Sequence, residues 1–263
     1  MSPFISVIIP TYNHAHFLKE ALKSVLDQSY TKFEVLVIDN HSTDNTEEMV
    51  LSFSDPRIRL LKIHNKGVIA ASRNLGISKA NGSLVAFLDS DDYWFPDKLK
   101  KASSLFHEGY DVVCNSEVWT TDEKTIKTKS YGPKLKATYE SLLFRGNCVS
   151  TSAVVVKKRC LIDAGGFSEK RSFITVEDYD LWLKLSKDKC NYAFIQEPLG
   201  IYRIHYSNQS RNVLYQMKAE LSVINSHFST IQHWSIRLKI MKNYRVLRLY
   251  VSYGLRYIMF LFK

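Results

Sequence analysis

Three short runs near the N-terminus are apolar almost from end to end: FISVII (residues 4–9), FEVLVI (33–38) and LVAFL (84–88). A strand with one wet face alternates polar and apolar residues, whereas a continuous apolar run fits a strand covered on both faces, as in a parallel sheet under helices. Arg57 to Lys62 is expected as a further strand between the second and last of these. Helical patterns separate the runs. Phe17, Leu18, Ala21, Leu22, Val25 and Leu26 form one stripe. TDNTEEMVLSF opens on capping-type residues, and GVIAASRNLGISKA (67–80) closes on Asn81-Gly82, a helix stop. Strand and helix alternating in this order predict right-handed βαβ units, hence an α/β fold around one mostly parallel, Rossmann-like sheet flanked by helices.

The second half is less regular. Residues 111–118 and 151–156 (TSAVVV) are expected as strands, 120–147 as a polar surface stretch, and 178–187 as a helix carrying Tyr179, Leu181, Trp182 and Leu185. From about 211 onward the pattern is helical, so 263 residues divide into a domain over 1–210 and a helical tail over 211–263. The net charge of +10 is concentrated in that tail: after Glu220 no acidic residue occurs, while Arg237, Lys239, Lys242, Arg245, Arg248, Arg256 and Lys263 follow. Such asymmetry points to an anionic partner for the tail. Nucleic acid would instead need basic residues interleaved with stacking aromatics on the body, and is not expected. The four cysteines form no CxxC pair or zinc spacing and fit reduced thiols of a cytosolic protein. MSPFISVIIPTYNH lacks the basic start of a signal peptide, and no apolar run reaches the ~18 residues of a spanning helix.

In open parallel sheets ligands bind beyond the carboxyl ends of the strands. Here the first strand ends in Pro10-Thr11-Tyr12-Asn13, the second in Asp39-Asn40 and the fourth in Asp89-Ser90-Asp91-Asp92, so polar and acidic groups converge on one edge. Carboxylates this close repel one another unless a cation lies between them. Hard oxygen ligands in small number suit Mg²⁺ or Mn²⁺, completed by water and substrate phosphates. Asp92 has the alternative role of capping a helix that starts near Pro96. Neither GxGxxG nor GxxxxGK[ST] occurs. Phosphates are therefore expected to be neutralised by the metal and by Arg73, whose alternative is an ordinary solvated helix arginine.

Taken together, SVIIPTYNHAHFLKEALKSVLDQSY, FEVLVIDNHSTDNT and ASRNLGISKANGSLVAFLDSDDYWFPDKL, followed by GGFSEKRSFITVEDYDLWLKL and YRIHYSNQS, resemble the family 2 glycosyltransferases of GT-A fold over roughly residues 4–210. The resemblance implies transfer of a sugar from a nucleotide diphosphate donor with inversion, usually with a divalent metal (Mn²⁺ or Mg²⁺) at a DxD-type motif. It implies nucleotide contacts at Thr11, Tyr12 and Asp39, ribose or metal at Asp89 with Ser90 beside it, and metal at Asp91. It puts the catalytic base in Glu177-Asp178, with Asp178 preferred, and brings His205 to the diphosphate or metal unless it is a packed loop histidine. Many relatives carry a second aspartate where this chain has Asn40; asparagine still offers a donor and an acceptor to a uracil edge.

A chain of this kind resembles enzymes that build bacterial surface polysaccharide, such as O-antigen, on a polyprenyl diphosphate carrier. The expected donor is UDP-glucose or UDP-galactose and the acceptor a carrier-linked GlcNAc or GalNAc; a dTDP- or GDP-sugar donor, or a nucleotidyltransferase activity, is the competing reading. In the tail, Ile240, Tyr244, Leu247, Val251, Leu255, Ile258 and Phe262 share one helical face, with Arg237, Lys242, Arg245, Arg248 and Arg256 largely opposite. Either the stripe packs on the body and leaves a solvated basic face, or the helix lies on an anionic membrane with its basic residues toward lipid. The second reading places the protein in the cytoplasm, peripheral on the inner face of the plasma membrane.

Overall fold

The computed structural model describes residues 2–121, 124–205, 212–233 and 235–261. Its first half is built as the apolar runs require. β1 (Ile5–Thr11), α1 (Ala15–Leu26), β2 (Phe33–Asp39), α2 (Thr46–Ser52), β3 (Ile58–Lys62), α3 (Ile69–Lys79) and β4 (Leu84–Phe87) follow one another as βαβ units. β1 pairs in parallel with β2 and β4, and β2 with β3. β1, β2 and β4 are buried at every position.

The second half comprises β5 (Tyr93–Trp94), α4 (Lys98–His107), β6 (Val112–Thr120), β7 (Thr125–Lys129), α5 (Tyr139–Arg145), β8 (Val154–Lys157), α6 (Lys158–Asp163), α7 (Glu177–Lys187), β9 (Tyr192–Arg203), α8 (Val213–Ser229) and α9 (Ile236–Leu261). The strands form one sheet in the order β3-β2-β1-β4-β8-β6-β9-β5, with β7 attached to β6. β8 runs antiparallel to β4 and β6, and β9 runs parallel to β6, so only the first half is uniformly parallel.

Successive strand residues feed opposite faces. Ile5, Val7 and Ile9 join a core with Leu18 and Leu22 of α1 and Leu99 and Phe106 of α4. Ile8, Leu36 and Phe87 join a second core with Ile77 of α3, Trp182 of α7 and Val223 and Phe228 of α8.

Three expectations are corrected. The stretch 120–147 is not surface throughout, because α5 buries Leu142, Leu143 and Phe144. Asp92 caps no helix: α4 starts at Lys98 with Asp97 at its cap position, and buried Asp92 instead accepts from Ser152 Oγ (2.5 Å) and Arg203 N (2.9 Å). In α9 the apolar stripe does not pack on the body. Arg245, Leu249 and Tyr253 are buried and Leu238, Met241 and Val246 pack against the core, while Ile240, Tyr244, Leu247, Val251, Leu255 and Ile258 are exposed. Arg245 pairs with Glu220 rather than facing outward. Phe262 lies outside the described residues.

Candidate active site

A cavity of about 460 Å³ opens where the carboxyl end of β4 meets the start of α7, and Arg73, Asp89, Ser90, Asp91, Glu177 and Asp178 all line it. Arg73, on the inward side of α3, is buried. It donates from Nη1 to Glu177 Oε1 (2.5 Å) and from Nη2 to Asp89 Oδ1 (2.7 Å), and its guanidinium lies 5.3 Å from the Phe167 ring centre. Burial opposes its charge, but Asp89 and Glu177 outweigh that and raise its pKa. It is a buried clamp that ties α3 to Glu177, 104 residues further along the chain, and to Asp89, not a solvated arginine.

Glu177 and Asp178, adjacent at the start of α7, sit differently. Glu177 is neutralised by the guanidinium. Asp178 is half-buried and faces the cavity; it accepts from Tyr179 N (2.7 Å) and from Thr151 Oγ1 (3.3 Å). Desolvation, then the Glu177 carboxylate, push its pKa up to about 7. Just before them Thr175, also on the cavity wall, holds φ +79°, a strained conformation of the kind that clusters at functional sites. Buried atoms without a protein partner gather here as well: Arg73 Nε, Thr175 Oγ1 and Glu177 Oε2, with Thr11 Oγ1 at the end of β1. Native interiors satisfy nearly all such groups, so the cluster marks a place for a polar ligand.

Of the three aspartates after β4, Asp89 and Asp91 line the cavity and Asp92 does not. Burial, then Asp91, raise the pKa of Asp92 well above the ordinary carboxylate value. Asp91 Oδ2 lies 2.8 Å from His205 Nε2, and the His205 ring stacks on Phe17 at 4.8 Å. Ser90 Oγ bonds His14 Nδ1 at 3.0 Å; burial, then His205, lower the pKa of His14 although Asp91 opposes them.

Of the three candidate metal ligands, Asp89 is paired with Arg73, while Asp91 and His205 are in contact with each other. Among the described residues no group of three or more His, Cys, Asp or Glu side chains is set for a metal ion. A Mg²⁺ or Mn²⁺ site that uses one or two protein ligands plus substrate phosphates needs no such group. Asp91 and His205 fit that donor set.

Thr11, Tyr12, Asp39 and Asn40 lie beside the cavity rather than in its wall. Asp39 is buried and accepts from Ser42 N (3.0 Å) and Ser42 Oγ (2.6 Å), which shapes the turn after β2. Asn40 Oδ1 accepts from Asn65 N (2.8 Å), which ties the turn after β2 to the loop before α3. Sequence reasoning missed Trp119, Tyr131, Thr151 and Tyr202, all in the cavity wall. Trp119 and Tyr202 lie with ring centres 5.0 Å apart. Trp119 alone carried a signal, as an aromatic at the end of a predicted strand.

The sheet order and the carboxylate-lined cavity at the carboxyl edge of its parallel half define an α/β protein with its candidate ligand site beyond the strand ends. The profile described as "Glycosyl transferase family 2" matches residues 6–156, and the chain belongs to that family. It is 33% identical over 255 residues to the Escherichia coli UDP-Glc:alpha-D-GlcNAc-diphosphoundecaprenol beta-1,3-glucosyltransferase WfgD, covering 92% of each chain. The structure of S. aureus TarS 1-349 in complex with UDP-GlcNAc superposes with a TM-score of 0.75 at 19% identity, over 95% of this chain and 73% of that one. Pyrobaculum calidifontis mannosyltransferase PcManGT, in complex with GDP-Man and Mn²⁺, gives 0.68 at 18% identity over 97% and 72%. The fold is that of GT-A glycosyltransferases, and the protein is a glycosyltransferase.

Proposed function

We propose that this enzyme transfers a hexose, with inversion, from UDP-glucose or UDP-galactose to a hydroxyl of a polyprenyl-diphosphate-linked GlcNAc or GalNAc during assembly of a surface polysaccharide such as O-antigen. The observation that supports this reading is the Arg73 clamp, which pairs with Glu177 and Asp89 and leaves Asp178, another carboxylate of the cavity wall, outside its hydrogen bonds. Asp178, with a pKa near 7, is matched to accept a proton at physiological pH. As the acceptor oxygen bonds to the donor C1, its proton passes to Asp178 and the C1–O bond to the nucleoside diphosphate breaks. Thr11, Tyr12, Asp39 and Asn40 hold the nucleotide, and Asp89, Ser90 and Arg73 the ribose and diphosphate side. A divalent metal, held by Asp91 and His205, would offset the charge of the leaving diphosphate. An imidazole nitrogen in the set favours Mn²⁺ over Mg²⁺.

Donor and acceptor rest on the E. coli relative, whose name specifies UDP-Glc and a diphosphoundecaprenol-linked GlcNAc. Among the described residues no helix is long and apolar enough to cross a membrane, so we place the enzyme as a peripheral protein on the inner face of the plasma membrane. The test is a panel of UDP-, dTDP- and GDP-sugars against synthetic GlcNAc- and GalNAc-diphosphate-lipids, with linkage read by NMR. Product from UDP-glucose or UDP-galactose is expected; product only from a dTDP- or GDP-sugar overturns the donor assignment.

A further inference from the structure

The feature that the proposed chemistry does not use is the outer face of α9. Ile240, Tyr244, Leu247, Val251, Leu255 and Ile258 recur every three or four residues and are between 51% and 63% exposed; Ile236, which begins the same row, is 79% exposed. The row runs for about 33 Å at 1.5 Å per residue. Single exposed apolar residues are ordinary, but a contiguous stripe of this length marks an interaction surface.

The opposite face anchors the helix. Leu249 and Tyr253 are buried, Tyr253 Oη donates to Glu220 Oε2 (2.7 Å), Arg245 pairs with Glu220, Arg248 donates to the Arg145 carbonyl, and Lys242 lies over the Phe228 ring. The helix is therefore docked, with its apolar side turned outward. It is also docked at the rim of the cavity. Arg256 Nη1 donates to Gln216 Oε1 (3.3 Å), Gln216 lines the cavity, and Asn147 in the same wall follows the segment that Arg248 holds.

We propose that α9 is an interfacial helix that seats this stripe in a bilayer containing anionic lipid. Charge decides between lipid and a second copy. No acidic residue follows Glu220, so pairing two such helices would bring like charges together, whereas Lys239, exposed beside the stripe, complements anionic headgroups, and Arg237, exposed and paired with Glu140 (3.2 Å), adds to the basic margin. Exposed Tyr244, Tyr250 and Tyr257 supply rings suited to the headgroup boundary. Because Lys242, Arg245 and Arg248 are turned to the body, apolar insertion carries the binding and charge assists it. With the stripe in lipid, the cavity rim stands about one helix diameter, ~10 Å, above the membrane surface. That placement suits an acceptor whose sugar cannot leave the membrane, a point that rests on the proposed acceptor; the docking itself does not.

The test is flotation of the full-length chain with vesicles of phosphatidylcholine and phosphatidylglycerol at 3:1, read beside light-scattering mass. The chain is expected to float as a monomer, bind pure phosphatidylcholine more weakly, and lose affinity several-fold in high salt. Leu247→Asp with Val251→Asp should lower binding at least tenfold, and Leu247→Ser with Val251→Ser by an intermediate factor, with unchanged melting and unchanged transfer to a soluble, short-chain acceptor. Absence of vesicle binding by the wild type, equal binding by the aspartate variant, or a wild-type dimer that these substitutions dissociate would each overturn the proposal. Vesicle binding is read without catalysis, so it stands or falls separately from the donor and acceptor assignment.

Discussion

Glu177 and Asp178 are neighbours of the same chemistry with different fates, because only one of them meets Arg73. Removing one partner of a buried ion pair strands the other, at a cost of about 3–5 kcal/mol. Arg73→Gln should therefore lower unfolding stability in urea by that order, and adding Glu177→Gln should recover much of it; a loss below ~1 kcal/mol would show that the clamp is not a buried pair. Asp178→Asn keeps the shape and should lower turnover by ~10²- to 10⁴-fold with UDP affinity little changed. In the wild type kcat/KM should rise with pH through about 7, the raised pKa of Asp178. The stability effect has the opposite sense. A carboxylate whose pKa is raised on folding favours the fold fully below its ordinary value, near 4, and that contribution is lost as pH rises through about 7. Asp178→Asn should thus melt no lower than wild type at pH 8.5, a result that scanning calorimetry reads directly. For the metal, Asp91→Ala or EDTA should remove several kcal/mol of transition-state stabilisation, ~10²-fold or more in rate, with Mn²⁺ restoring the wild type better than Mg²⁺. Full turnover by metal-stripped protein would exclude the metal role.

Among the elements, the start of β4 beside β1 leaves no room for an added side chain at Gly82. Gly82, just before β4, donates from its N to Ser6 Oγ (2.8 Å), and an added Cβ would lie 2.6 Å from Ser6 N and 2.7 Å from Phe4 O and Leu84 O. These are backbone atoms and cannot swing away, so Gly82→Ala should destabilise by about 1–3 kcal/mol, measured by denaturant midpoint. β1, β2 and β4 were legible because each is buried on both faces and so appears as an apolar run, with its candidate site residues immediately after it; β3 at the sheet edge is only partly buried and shows the pattern less clearly. Of the later elements, β6, β8, α7 and the helices after residue 211 were legible too, whereas β7 and β9 were not. β9 contains Gln196, Glu197, Pro198 and Gly200 and shifts register against β6, and β7 is exposed along its length, so neither shows a period. The inward set of α3 includes Ser72, Arg73 and Gly76, which hides which way Arg73 points. In α9 the period was legible but not the side that packs, because Glu220, the partner that turns Arg245 inward, lies on another helix.

At the scale of the whole molecule, the sheet changes character at β4. The parallel half ends in Thr11, Asp39 and Asn40, the groups proposed to hold the nucleotide, while the mixed half supplies Trp119 from β6 and Tyr202 from β9 to the cavity. If the halves divide the work in this way, substitutions in them should separate by substrate. Asn40→Asp keeps the oxygen that accepts from Asn65 N, so the turn should hold; UDP should bind about as well or better by calorimetry, with acceptor KM unchanged. Thymidine or guanosine diphosphate binding at least tenfold tighter than UDP would instead overturn the base assignment. Trp119→Ala removes an aromatic face from the other half. Losing part of one large apolar contact costs about 1–2 kcal/mol, so acceptor KM should rise by roughly five- to thirtyfold while UDP affinity stays within about twofold, a difference of ~0.4 kcal/mol. Trp119→Phe should restore most of the loss if the ring face is what matters. A Trp119→Ala enzyme with weakened UDP binding and normal acceptor KM would place Trp119 on the donor side and undo the division of labour between the two halves of the sheet.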